Sequence, residues 1–79
     1  MTRLSVNNAH CEALFASPLQ PSDAVTAEAV AEVIDQTVRQ LGPIGCASRM
    51  AQEYGDHPEA ALSRMRWVRW LLGELPATT

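Results

Sequence analysis

The sequence predicts an all-α protein, a small bundle of about four helices that ends in a long one. Three observations carry that prediction. Apolar residues recur at helical spacing, as at Val30, Ile34, Val38 and Leu41. Stop and start residues punctuate the chain at Thr26, at Gly42-Pro43, at Gly55-Asp56 and at Pro76. No stretch alternates apolar and polar residues as a half-buried strand does.

A chain of 79 residues, 47% of them hydrophobic, is one small helical domain spanning 1–79, with 1–6 and 76–79 expected as flexible ends. A core of that size supplies only roughly 3–5 kcal/mol, so sharing surface with a partner is a natural source of further stability. The basic residues are six arginines and no lysine, a bias that high-GC coding produces, and the net charge is −3. The protein as a whole therefore has no electrostatic attraction for nucleic acid or an anionic membrane. The opening "MTRLSVNNAHCEALFASPLQ" lacks both the apolar segment of a secretory signal and the Arg-rich pattern of a transit peptide. No apolar run approaches the length of a membrane span, and a cytoplasmic location is expected. Cys11 and Cys46 lack Cys-x-x-Cys spacing and read as small buried hydrophobes.

The first helix is expected from an asparagine cap at Asn7 or Asn8 through "AHCEALFA" to Ser17-Pro18. "SPLQPSDAVT" has the prolines and capping residues of a connector. The second helix begins after Thr26, with Val30, Ile34, Val38 and Leu41 at helical spacing and Ala27, Ala31 and Val33 beside them, until Gly42-Pro43 stops it. The third lies in "IGCASRMAQEYG", with Ala47, Met50, Ala51 and Tyr54 on one face and Gly55 as its left-handed C′ residue. The fourth starts at Asp56 as N-cap, with Pro58 in its first turn and Glu59 closing a capping box, and runs to about Leu75.

Across residues 47–68 the third and fourth helices resemble the helix-turn-helix superfamily, most nearly the wingless form in region four of sigma factors. Ala51, Gly55 four positions later, and "SRM" at Ser63–Met65 carry the resemblance. In that family a small residue lets two helices approach, a glycine makes the turn, and apolar residues seat the second helix. Asp56 and Ala61 depart from the pattern, standing where aliphatic and β-branched residues are usual. The resemblance implies a DNA-binding transcription regulator, with Arg49, His57, Ser63 and Arg64 as the nucleic-acid contacts.

Advancing about 100° per residue along the fourth helix places Ala61, Met65, Val68, Leu72 and Leu75 in one core-facing stripe. Glu59, Ala60, Ser63, Trp67 and Trp70 point away from it, with Arg64 on one margin and Arg66 and Arg69 on the other. A DNA-reading face needs exposed donors and a surplus of cations. From Gly42 to Thr79 four arginines meet four acids, and Glu59 and Trp67 occupy the supposed reading face. Tryptophan and arginine together are instead the types enriched at protein-binding hot spots. Either the first helix covers the tryptophans through Cys11, Leu14 and Phe15, or the pair forms a contact patch.

His10, Cys11, Cys46 and His57 are the available soft ligands and have no metal-site spacing, so no metal or other cofactor is expected. There is no phosphate loop or nucleophile elbow, and Glu28, Glu32 and Asp35 form the solvated face of a helix, so no enzymatic activity is expected. The expected function is a non-enzymatic regulatory module that forms a homodimer or docks a partner protein through Trp67, Trp70, Ser63, Arg64 and Leu71. The alternative is the DNA-binding regulator.

Overall fold

A computed structural model describes residues 8–23 and 25–74 of the chain. Among the described residues are α1 (Asn8–Ala16), α2 (Ala27–Asp56) and α3 (Pro58–Glu74), and no strand. The expected flexible ends 1–6 and 76–79, and Leu75 at the end of the expected core stripe, lie outside them.

The all-α class is as the sequence predicts, but the count is three helices, not four. Gly42-Pro43 kinks α2 without ending it. Gly42 has φ 73 and ψ 164, a backbone region essentially confined to glycine. Pro43, which has no N–H to donate, then opens the second limb as proline commonly opens a helix. With no residue left over for a loop, residues 27–41 and 43–56 remain one element.

The start of α3 is also displaced from its expected place. Gly55 and Asp56 stay inside α2, and Gly42 is the sole glycine with positive φ among the described residues. The break falls at His57, with φ −139 and ψ 68, because the ring of Pro58 excludes the residue before it from the helical region. The His57 amide donates to the Glu53 carbonyl at 2.7 Å, and the Ala61 amide donates to the His57 carbonyl at 2.8 Å. One residue thus terminates α2 and caps α3. At its other end α2 begins after Thr26 as expected, and the Thr26 hydroxyl caps it by accepting from the Ala29 amide at 3.1 Å.

α1 is wedged against both longer helices and buries Cys11, Ala13, Leu14 and Phe15, positions that cover more than one of its faces. α2 contributes Ala27, Val30, Ile34 and Cys46 to the same core, and α3 contributes Ala61, Val68, Leu71 and Leu72. Fully burying one such aliphatic side chain stabilises by about 1.5–3 kcal/mol, so a few positions decide the fold. Phe15 stacks on Tyr54, ring centroids 6.0 Å apart, which fastens α1 to the second limb of α2. The connector folds on itself: the buried Ser17 hydroxyl donates to the Leu14 carbonyl at 2.6 Å, and the Gln20 amide donates to Asp23 at 2.9 Å.

Candidate functional site

α3 presents two unlike sides. On the inner flank, Arg64 reaches across to the C-terminal end of α1. Its Nε donates to the Phe15 carbonyl at 2.8 Å, and its Nη2 donates to the carbonyls of Ser17 at 2.9 Å, Leu19 at 3.0 Å and Leu14 at 3.4 Å. Leu14 and Phe15 lie in the last turn of α1, where carbonyls lack intrahelical partners, and Ser17 and Leu19 in the connector beyond it; a cation there also complements the helix dipole. The guanidinium lies 5.1 Å from the Trp67 ring centroid and 5.7 Å from that of Phe15. Burial pulls the Arg64 guanidinium below its ordinary value and Glu53 opposes that shift.

On the outer side, Leu62, Arg66 and Trp70 follow one another at steps of four and share one helical row. Trp70 is 60% exposed and Leu62 46% exposed, while Ser63, Arg66 and Arg69 beside them are also exposed. The buried positions Ala61, Val68, Leu71 and Leu72 occupy the opposite side.

Of the residues expected at a protein interface, the structure leaves Trp70 and Ser63 on the outer surface. Trp67 is half-buried and packs against the core beside Arg64. Leu71 is only 6% exposed and belongs to the core of its own chain, because its position on the helix faces inward next to Val68 and Leu72. The Arg64 guanidinium is occupied by carbonyls of its own chain, as described. The residues that accompany Trp70 on the surface are Leu62 and Arg66. A helical wheel could have placed them there, since both lie within about 80° of Trp70 at about 100° per residue.

Of the nucleic-acid set, Arg49 and Arg64 come together with Glu53 around a groove of about 310 Å³ at the end of α1. His57 lines a separate shallow depression with Pro58, Glu59 and Ala60, and Ser63 lines neither. Ala51 and Gly55, which carry the helix-turn-helix resemblance, are exposed, whereas Ala61 is buried.

Cys11 and Cys46 are unbridged and buried. Burial pushes both thiols above their ordinary value; Glu12 adds to this in each case, and Arg69 partly offsets it at Cys11, Arg49 at Cys46. Neither thiol has thiolate character at neutral pH. Among the described residues no cluster of three or more His, Cys, Asp or Glu is placed to hold a metal, and no helix is long and apolar enough to cross a membrane.

Comparisons with protein families, with curated proteins and with solved structures find no match for this chain.

Proposed function

We propose that this chain is a non-enzymatic protein-binding module whose contact surface is the outer face of α3, used for self-association or for docking a partner protein. The observation that carries the reading is Trp70, 60% exposed in a row with Leu62 and Arg66. A large indole left in water has apolar area to lose, and placing it against another surface recovers several kcal/mol, roughly 25 cal/mol for each Å² removed from water. Arginine beside it adds a donor fork of the kind that recurs at hot spots. Arg64, the strongest cation candidate for meeting DNA phosphates, is turned instead toward α1.

The test is sedimentation equilibrium at micromolar concentration with duplex-binding assays in parallel. Wild type is expected above its 8.6 kDa monomer mass, and Trp70→Ala is expected to weaken association by more than about 1 kcal/mol. Association indifferent to Trp70→Ala would overturn the reading. So would salt-sensitive duplex binding that disappears in Arg49→Ala while the oligomeric state stays unchanged.

A further inference from the structure

We infer that the occupant of the α3 outer face is a second copy of this chain, and that α3 lies antiparallel against the first limb of α2, residues 27–41, in that copy. The inference rests on the reading of α3 as a docking surface and adds what sits on it. Along α2, Glu28, Glu32, Asp35, Gln36 and Arg39 are all exposed and fall within one arc of the helix, opposite the buried Val30, Ile34 and Thr37. Among the described residues the one side-chain ion pair joins Asp35 to Arg39 at 2.8 Å. Among the described residues Glu28 and Glu32 on α2, and Arg66 and Arg69 on α3, are therefore in no ion pair, two acids on one helix and two arginines on the other, Glu32 accepting from the Gln36 side-chain amide at 3.4 Å.

The order of charges fixes the direction. Read from its start, the exposed side of α3 carries Glu59, Arg66 and Arg69; read from its end, the exposed side of the first α2 limb carries Arg39 with its ion-pair partner Asp35, then Glu32 and Glu28. Laid antiparallel, Glu59 meets Arg39, Arg66 meets Glu32, and Arg69 meets Glu28. The spacings agree: seven residues, about 10.5 Å, separate Glu59 from Arg66 and Arg39 from Glu32, and three or four residues, about 4.5–6 Å, separate Arg66 from Arg69 and Glu32 from Glu28. Leu62 then falls opposite Gln36, and Trp70 lies near Ala29, a small residue against which an indole can lie flat. A parallel alignment that sets Arg66 against Glu28 or Glu32 leaves Glu59 opposite no cation, at Pro21 or Val25. Pairing α3 directly with α3 of another copy, centred on its outer row, would set Arg66 against Arg66.

Both arcs face away from the core, so one chain cannot close the contact on itself. Two copies related by a two-fold axis make it twice, each giving its α3 to the other's α2, which is the closed self-complementary arrangement that homodimers favour. The contact must outweigh the repulsion of two chains that each carry a net charge of −3, so its affinity should respond to salt as well as to apolar truncation.

The experiment is a charge swap followed by sedimentation equilibrium, with circular dichroism confirming that each variant is folded. Arg66→Glu with Arg69→Glu, and separately Glu28→Arg with Glu32→Arg, should each weaken self-association about tenfold or more. An equimolar mixture of the two variants should regain a species of twice the 8.6 kDa monomer mass, because each copy then offers the other a complementary arc. Wild type that stays at 8.6 kDa overturns the inference. So does a mixture that fails to reassociate. If the acidic reversal associates as wild type while Trp70→Ala does not, the α3 surface stands and α2 as its counterpart falls; if Trp70→Ala is also silent, both fall.

Discussion

Within seven consecutive residues α3 uses the same two side-chain types twice, Arg64 with Trp67 and Arg66 with Trp70, for opposite ends. Arg64 is tied to four carbonyl oxygens of α1 and its connector and lies over Trp67, which is half-buried. Arg66 and Trp70 face outward and, among the described residues, make no hydrogen bond, ion pair or ring contact with another helix. The type of residue is the same; what differs is whether a neighbouring helix end or solvent stands opposite. One flank holds α1 in place, and the other faces solvent.

The sharpest way to break that contrast is to remove each arginine in turn. Arg64→Ala deletes the guanidinium donors that reach the Phe15, Ser17 and Leu19 carbonyls, leaves the Leu14 carbonyl to Ser17 alone, and opens space between Phe15 and Trp67. The expected loss is about 3 kcal/mol, a large share of what so small a domain has. Arg64→Lys should recover little, because an ammonium on a flexible stem cannot reproduce a planar fork spread over several acceptors. Arg66→Ala should leave folding stability within about 0.5 kcal/mol of wild type. Urea denaturation midpoints of the three variants decide it, and equal midpoints for Arg64→Ala and Arg66→Ala would erase the distinction between the two flanks.

The tryptophans give a second, smaller contrast. Trp67→Ala removes half-buried area and the ring beneath Arg64, and should cost about 2 kcal/mol. Trp70→Ala should change folding by less than about 0.5 kcal/mol when measured at concentrations too low for association. Its effect belongs to assembly. Thermal melts at two protein concentrations separate the two: Trp67→Ala lowers the midpoint at both, and Trp70→Ala removes the concentration dependence.

What the sequence could convey follows from the range of the interactions involved. The all-α class, the Thr26 cap, the Val30 and Ile34 stripe and the inward set Ala61, Val68 and Leu72 depend on residues a few positions apart, and periodicity records them. Leu71 is buried although it stands off the Ala61, Val68 and Leu72 stripe, because the buried arc of α3 is wider than one stripe and packs against both α1 and α2. The role of Arg64 could not be seen, since its acceptors lie 45 to 50 residues earlier and nothing in the spacing of α3 marks which arginine will meet them. The helix count failed for a local reason. Gly42-Pro43 has the composition of a stop, yet glycine followed by proline can redirect a helix without leaving a loop.

The two glycines offer the finest test, because the sequence assigned each the wrong weight and the structure separates them by conformation alone. At neither Gly42 nor Gly55 would an added Cβ meet any atom within 4 Å, so packing does not distinguish them. Gly42 sits at φ 73 and ψ 164, where an L side chain is strained whatever the room around it; Gly55 is helical and has no positive φ. Gly42→Ala should therefore destabilise by about 1–2 kcal/mol through backbone strain. Gly55→Ala should stabilise by about 0.5–1 kcal/mol, since alanine loses less backbone freedom than glycine on entering a helix. If Gly55 were instead the turn residue of a helix-turn-helix, held at positive φ, the sign at that position would reverse. Opposite shifts in denaturation midpoint for these two substitutions of the same kind would show that the bend of α2 lies at Gly42 and that the helix runs unbroken through Gly55 to the junction that Pro58 imposes on His57.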